Sequence, residues 1–183
     1  GQQRAEVPEQ LAGDAVLLAS GSVPRLIPGF ERGGPIMTSD EVLDLDVLPA
    51  RVVVIGGGAI GCEFASTFAD LGSEVTILEG LPKILPGLDA DLAKVVEKSF
   101  RKKKIAIRTG VMVKGHTPNG SGGTTVAFGD DESVEVDAVV VSVGRRPFVD
   151  HLGLQGTGVV VDERGFVVFD EYCQTAEPGV YAV

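Results

Sequence analysis

The chain has 183 residues, 25 of them glycine, and a hydrophobic content of 44%, which favours an ordered α/β protein over a disordered one. Its length allows one domain, or one domain with pieces of another. The formal net charge of −10 argues against a nucleic-acid partner. The polar first residues and the lack of any apolar run near 18 residues argue against a signal peptide and a membrane span.

The early part of the chain alternates short apolar segments with turn residues. Residues 14–19 (DAVLLA) predict a short buried strand, followed by a small-residue turn at Ser20, Gly21 and Ser22. An extended connection marked by prolines comes next. Residues 38–41 then offer N-cap candidates for a short helix that ends before Pro49.

A glycine loop between a strand and a helix is the central motif. The apolar run at 52–55 predicts a strand buried on both faces, and residues 62–71 predict a helix. Between them the spacing of Gly56, Gly58 and Gly61 matches G-x-G-x-x-G, which provides a tight turn, a close approach of the backbone to a pyrophosphate and close helix packing. The helix N-terminus adds N–H donors and partial positive charge. The motif therefore predicts a dinucleotide site.

An acidic residue follows at the spacing that such a site requires. Residues 74–78 predict the next strand, which ends at Glu79, eighteen positions after Gly61. A carboxylate there can accept both hydroxyl groups of the adenosine ribose, whereas it would repel the 2′-phosphate of NADP. No arginine occurs at 80–85 to bind such a phosphate. The sequence therefore favours NAD.

The remaining elements complete an α/β fold. Residues 90–103 predict a helix with Leu92, Val95, Val96 and Phe100 on one face, and residues 105–108 predict the strand that completes β-α-β-α-β. The basic run at 101–104 is interpreted as a complement to the helix dipole rather than a polyanion site. Alternating segments at 111–114, 124–128 and 133–136 predict an antiparallel meander. The fold class is thus α/β, a Rossmann-like parallel sheet with an antiparallel β-meander.

The last part predicts three further features. Residues 138–143 predict a buried parallel strand that ends at Gly144, where ligands bind in such sheets. Residues 159–162 and 166–169 predict a hairpin. The chain stops at 180–183, within what reads as another buried strand, so we expect a fragment of a longer protein.

Other reactive side chains are interpreted as structural. His116 and His151 lie away from the glycine loop, and Arg145 and Arg146 are expected to form ion pairs. Cys62 and Cys173 lie 111 positions apart and fit no metal-ligand or C-x-x-C spacing, so neither a catalytic residue nor a metal site is predicted. For Cys62 a buried thiol is favoured over one activated by the helix end. Unpaired thiols fit a reducing compartment, so a cytoplasmic location is expected.

These motifs, taken in order, resemble the pyridine nucleotide–disulfide oxidoreductases over nearly the whole chain. The matching segments are LLASGS (17–22), TSDEVLDL (38–45), VVVIGGGAIGCEFA (52–65), EVTILE (74–79), KILPGLD (83–89), VGRRPF (143–148), LGL (152–154) and TAEPGVYAV (175–183). The resemblance implies that residues 49–147 form an NAD-binding domain. Residues 1–48, with a linker, and residues 148–183 would be flanking strands of an incomplete flavin (FAD) domain.

The resemblance also implies roles for individual residues. The pyrophosphate would lie on the loop formed by Gly56, Gly57, Gly58, Ala59, Ile60 and Gly61. Glu79 would bind the adenosine ribose, Glu63 would face the nicotinamide, Val111 would border the adenine, and Gly144 would lie against the cofactor. Ser20, Gly21 and Ser22 would contact FAD in a complete protein.

The activity implied is transfer of reducing equivalents between NAD(H) and a dithiol or disulfide through FAD. The implied substrate is dihydrolipoamide carried on a lipoamide-bearing protein of a 2-oxo acid dehydrogenase complex, and the implied full-length state is a homodimer. The family's C-x-x-x-x-C pair and catalytic His-Glu pair do not occur in this sequence, so we expect this chain alone to be inactive. The alternatives are a nucleotide-binding module without turnover, or a domain of another member such as a mercuric reductase or a soluble transhydrogenase.

Overall fold

A computed structural model describes residues 11–183, so residues 1–10 of the predicted first flavin-domain segment lie outside it. Over the described residues the chain forms, in order, β1 (Val16–Leu18), β2 (Ser22–Pro24), β3 (Ile36–Thr38), a 3₁₀ turn (Glu41–Asp44), β4 (Arg51–Ile55), α1 (Ala59–Leu71), β5 (Glu74–Glu79), α2 (Ala90–Lys102), β6 (Ala106–Thr109), β7 (Val113–Pro118), β8 (Thr124–Phe128), β9 (Glu132–Val136), β10 (Ala138–Val141), β11 (Arg145–Pro147) and β12 (Val180–Ala182). No helix in this part of the chain is long and apolar enough to cross a membrane.

The chain divides into two compact units. The larger is Pro24–Arg145, and the smaller joins Arg146–Val183 to the described residues before Pro24. The chain passes between the units within β2 and within β11. The domain boundaries expected at 48/49 and 147/148 stay predictions about a longer protein.

A five-stranded parallel sheet in the order β3-β10-β4-β5-β6 forms the centre of the larger unit. The helices α1 and α2 pack on one face through a cluster that includes Cys62, Phe68 and Phe100. The antiparallel meander β7-β8-β9 packs on the other face through Val126, Phe128 and Val136. Because both faces are covered, the inner strands β4 and β10 are buried almost throughout. The predicted fold class is confirmed.

Strand β3 is an addition to the predicted sheet. Residues 36 and 37 were expected in an extended connection and Thr38 was an N-cap candidate, yet all three pair in parallel with β10. The expected helix before Pro49 shrinks to the 3₁₀ turn, after which Leu45 is extended. The Glu41 carboxylate accepts hydrogen bonds from Thr38 N and Oγ1 at 2.8 and 2.6 Å, which fixes the start of that turn. Its last residue is acidic and no base lies there, which disfavours further helix.

Helix α2 turns a different face to the sheet than its apolar residues suggested. Ala93 and Phe100 are buried and Val96 is partly buried, but Leu92 and Val95 are 57% and 67% exposed. The prediction of one inward stripe is therefore wrong for Leu92 and Val95. The small side chain of Ala93 is buried in their place.

The smaller unit contains β1 and β12, which pair in parallel. The sequence predicted a buried β1, but Val16 and Leu17 are 52% and 60% exposed. Among the described strands β1 pairs with β12 alone, in a two-stranded sheet. The predicted hairpin at 159–169 is reduced to one bridge, Val161 with Val167. The Asp162 carboxylate accepts from the N–H groups of Arg164 and Phe166 and thereby competes with a longer ladder.

An ion pair joins the starts of β4 and β10. The Asp137 carboxylate accepts from Arg51 N at 2.9 Å and from Arg51 Nη2 at 2.8 Å. The Arg51 guanidinium holds the pKa of Asp137 below its usual value, chiefly through this side-chain hydrogen bond.

We expect Asp137→Asn to lower the free energy of unfolding by about 1 kcal/mol at pH 7, because the bond to a charged group is lost at a site about one-third exposed. The lowered folded-state pKa means that this contribution is present above the unfolded value of about 3.9 and is lost as pH falls below it. Urea unfolding at several pH values should show the difference shrinking toward zero below about pH 4. Asp131→Asn, at an exposed turn, is the control. A constant difference across that range would contradict the assignment.

Candidate nucleotide-binding site

Three loops meet at the carboxyl edge of the parallel sheet. The register pairs Ile55 with Leu78 and with Val141, so β4, β5 and β10 end side by side. Their following loops border a cleft of ≈ 510 Å³, as expected for a ligand site in such a sheet. The cleft is lined by Ile27, Ile55, Gly56, Gly58, Leu78, Glu79, Gly80, Leu81, Pro86, Val111, Met112, Val113, Ser142, Val143 and Gly144.

The glycines of the loop fall into two structural classes. A Cβ on Gly61 would lie 2.0 Å from the carbonyl oxygen of Gly56, and one on Gly56 would lie 2.2 Å from that of Ser142. Gly56 also has φ of +107°, which L side chains rarely adopt. Gly58 is different, because no atom lies within 4 Å of its ideal Cβ and its φ of −72° is ordinary. Gly56 and Gly61 therefore serve packing, while Gly58 leaves open space in the cleft.

The N-cap residue of α1, Gly58, borders this space. The helix begins at Ala59, three residues earlier than predicted, with Gly58 as its N-cap and no side chain capping it. The first N–H groups of a helix have no partner within the helix, so those of Ala59, Ile60 and Gly61 are donors for an anion. No acidic residue lies in the first turn. The loop thus combines donors, partial positive charge and room.

The Glu79 carboxylate is fixed at the edge of the cleft. Its Oε2 accepts from Gly57 N at 2.6 Å and its Oε1 accepts from Leu81 N at 2.7 Å. A carboxylate has about four acceptor positions, so each oxygen retains one for a ligand hydroxyl. The two backbone bonds hold the acid in one orientation and tie the glycine loop to the loop after β5.

Apolar side chains form the wall beyond Glu79. The half-buried Val111 donates its N–H to Glu79 O at 3.1 Å, and Met112 Sδ lies 2.9 Å from the ideal Cβ position of Gly80. Leu81 and Val113 continue this wall. A flat aromatic base can pack against such a surface. None of the described residues that line the cleft is basic.

Glu63 lies in a different place from the glycine cleft. The predicted helix start at residue 62 would place Glu63 in the first turn, but α1 starts at Ala59, so Glu63 is in the second turn, where the helix dipole favours an acid less. It lines a neighbouring cavity of ≈ 480 Å³ with Ser39, Phe64 and Arg145. Arg145 pairs with Asp40 at 3.6 Å and Arg146 pairs with Asp150 at 2.9 Å, which confirms the predicted ion pairing.

The other predicted site residues are distributed as follows. Gly144, at φ +108°, lines the glycine cleft with Val111. Ser20 and Gly21 lie in the turn between β1 and β2, Ser22 begins β2, and the role of the three toward FAD stays a prediction.

Several lining residues were not predicted from the sequence. Ser142 and Val143 were counted as strand, although a strand that ends at 141 places both in the loop at the ligand edge. Leu81 and Met112 lie two and three positions after the ends of β5 and β6, which is a signal that sequence reasoning could have used. Ile27 carries no such signal, because it reaches the cleft from the connection before β3.

Cys62 lies beneath the glycine loop as a buried thiol, as favoured from the sequence. Its Sγ is 3.4 Å from Gly57 O, and burial, with smaller effects of Glu79 and Glu63, raises the pKa of the Cys62 thiol to about 11.

His116 pairs with Thr124 Oγ1 at 3.0 Å on the meander. Among residues 11–183 no three His, Cys, Asp or Glu side chains are grouped to hold a metal ion.

We expect Cys62 to resist thiol reagents in the folded protein. At pH 8 a pKa of about 11 leaves about one part in a thousand as thiolate, and burial blocks access. Titration with Ellman's reagent should modify the half-buried Cys173 first and Cys62 only in denaturant. A Cys173→Ser variant should then show almost no fast reaction. Rapid modification of that variant would contradict the burial of Cys62.

Comparisons with known proteins identify the family of this chain. The family model described as pyridine nucleotide-disulphide oxidoreductase matches residues 2–183. A dihydrolipoyl dehydrogenase of Staphylococcus aureus is 40% identical over 169 residues, which cover 91% of this chain and 36% of the relative. The chain therefore spans little more than a third of that relative's length.

Two solved structures are similar to most of this chain. A Cu(II) complex of the HOCl-induced flavoprotein disulfide reductase RclA from Escherichia coli matches with a TM-score of 0.90 at 30% identity, covering 99% of this chain and 41% of that one. The water-forming NADH oxidase from Lactobacillus brevis, bound to NADH, matches with a TM-score of 0.79 at 27% identity, covering 92% and 38%.

Proposed function

This chain belongs to the pyridine nucleotide-disulphide oxidoreductase family, whose members are flavin-dependent, and from that premise we propose that its glycine cleft binds NAD(H). The observation that carries the proposal is the fixed Glu79 carboxylate beside the open Gly58. The pyrophosphate would lie over Gly58 and accept from the N–H groups of Ala59 and Ile60. The adenosine ribose would donate its hydroxyls to Glu79, and the adenine would pack against Val111.

The same cleft favours NAD over NADP. The anionic Glu79 would repel a 2′-phosphate, and the described lining offers no cation to receive one. The similarity to an NADH oxidase bound to NADH supports this choice.

We further propose that the complete protein is a dihydrolipoyl dehydrogenase. The support is the 40% identity to such an enzyme over 91% of this chain. The bound coenzyme and FAD supply the hydride chemistry, while this chain binds and orients the nucleotide. Gly21, with φ of +73° and no atom within 4 Å of its ideal Cβ, leaves room for FAD to approach between Ser20 and Ser22.

The complete protein would act on dihydrolipoamide carried by a lipoamide-bearing partner, and would be a homodimer. Expression of the complete protein should give NAD+ reduction by dihydrolipoamide. Reduction of mercuric ion, or hydride exchange between the two coenzymes without a thiol, would favour the other family members instead.

We expect Glu79→Gln to weaken NADH binding about tenfold or more. The amide cannot accept two backbone N–H bonds and two ribose hydroxyls together, and bonds to a charged acceptor contribute about 1.5–3 kcal/mol each. The preference for NADH over NADPH should narrow as well, because the repulsion of the 2′-phosphate is removed. Isothermal titration calorimetry with both coenzymes measures both effects.

Glu74→Gln is the matched control, since Glu74 is exposed at the opposite end of the same strand. It should leave both affinities unchanged. If Glu79→Gln behaved like Glu74→Gln, the ribose assignment would be wrong.

A further inference from the structure

The outward face of α2 carries exposed apolar side chains. Leu92 and Val95, more than half exposed, are three positions apart and lie on one side of the helix. Lys98 and Lys102 continue the same side at helical spacing, and Lys104 follows the last turn. We call these five residues the α2 basic face.

This face is positive in a strongly acidic chain. Six of the 16 lysines and arginines fall within residues 94–104, although the chain carries a net charge of −10. Three of the six are paired with Asp91, Glu97 and Asp70. No ion pair found among residues 11–183 includes the other three, Lys98, Lys102 and Lys104, which are all exposed.

The end of α2 keeps a lysine where the backbone favours glycine. Lys104 has φ of +62°, with Lys104 N bonded to Arg101 O and Ile105 N to Phe100 O. Helix α1 ends with the same pair of bonds, but there Gly72 occupies the left-handed position. A lysine in this conformation is strained where glycine is not.

We propose that the α2 basic face is a docking surface for an acidic amphipathic helix of a partner protein. Leucine-type side chains of that helix would pack on Leu92 and Val95, and its carboxylates would pair with Lys98, Lys102 and Lys104. Charge complementarity selects this partner. A narrow helix meets only the face, whereas an anionic membrane plane would also meet the acidic surface around it.

The test uses the full 183-residue chain and a fluorescein-labelled synthetic peptide of repeated Glu-Leu-Ala-Glu-Leu-Leu-Glu heptads. Fluorescence polarisation should show saturable binding that weakens when the ionic strength rises from about 0.05 M to about 0.5 M. A peptide of the same composition with its leucines spread around the helix should bind at least about fivefold more weakly. Equal binding of the two peptides, or of neither, would overturn the proposal.

Variants of the protein distinguish peptide binding by the α2 basic face from an effect of the chain's net charge. Lys98→Glu and Val95→Ser should each weaken peptide binding at least about fivefold, while Lys114→Glu on the meander, with the same change in net charge as Lys98→Glu, should not. Lys104→Gly should raise the melting temperature by about 2 °C, because glycine adopts the left-handed conformation without strain. The same change should weaken peptide binding, because it removes a lysine from the α2 basic face. If Lys114→Glu weakened peptide binding as much as Lys98→Glu does, the proposal would be wrong. It would also be wrong if the protein sedimented with phosphatidylserine-containing vesicles and did not bind the peptide. Unchanged circular dichroism confirms that each variant is folded.

Discussion

Gly58→Val is expected to weaken NADH binding at least about a hundredfold while the protein stays folded. The ideal Cβ of Gly58 meets no protein atom within 4 Å, so the side chain of valine has room. That room is the space assigned to the pyrophosphate, and a branched side chain there prevents the close approach that the phosphates need. The stability loss should stay below about 1 kcal/mol, from a poorer N-cap. Calorimetry with NADH and urea unfolding measure the two effects.

Gly87→Val is the matched control for this result. Gly87 also has no atom within 4 Å of its ideal Cβ, and it is not among the residues that line the cleft. Its substitution by valine therefore adds the same side-chain volume outside the site. It should leave NADH affinity unchanged. NADH binding by Gly58→Val as tight as by the parent chain would show that the pyrophosphate lies elsewhere.

Gly61→Ala is expected to cause a large loss of stability, unlike Gly58→Val, which should lower NADH affinity with little loss of stability. Its Cβ would lie 2.0 Å from Gly56 O, so α1 must move away from the end of β4. Glycine to alanine within a helix is normally stabilising by up to about 1 kcal/mol, so the sign of the effect is informative. Overpacking between rigid backbones should outweigh this and give a net loss of about 3 kcal/mol.

A loss of that size corresponds to a fall in melting temperature of about 6–12 °C for a chain of this length. Gly58→Ala, three residues earlier, is the control and should change the melting temperature by less than about 3 °C. A Gly61→Ala protein as stable as the parent would contradict the close contact between Gly61 and Gly56.

The parts of the fold that local sequence determines were predicted well. The strand, glycine loop and helix from Arg51 to Leu71 follow from an apolar run, glycine spacing and helix propensity within one short stretch. The position of Glu79 follows in the same way from the length of the β-α-β unit. These features needed no knowledge of distant residues.

The errors arise where distant contacts decide. The three residues of β3 become a strand only because β10 lies beside them, and no periodicity in so short a segment indicates this. On α2 the apolar pattern predicted an inward face that included Leu92 and Val95, whereas the structure buries Ala93 and Phe100, and only Phe100 belonged to the predicted face. Ile27 lines the cleft because the connection between β2 and β3 passes beside it, and the sequence pattern does not indicate the course of that connection.

The structure also divides the loop glycines in a way that spacing alone could not. Gly56, Gly58 and Gly61 are equal members of a motif in the sequence. Only the distances to Ser142 O and Gly56 O distinguish the two packing positions from the open one. The site therefore consists of a rigid pair of glycines that holds one free glycine beside a fixed carboxylate.

A crystal structure of the protein with NADH tests this account most directly. We expect the pyrophosphate over Gly58, within hydrogen-bond distance of the N–H groups of Ala59 and Ile60, and the adenosine ribose hydroxyls donating to Glu79. Coenzyme bound outside the cleft, or a ribose with no contact to the Glu79 carboxylate, would contradict it.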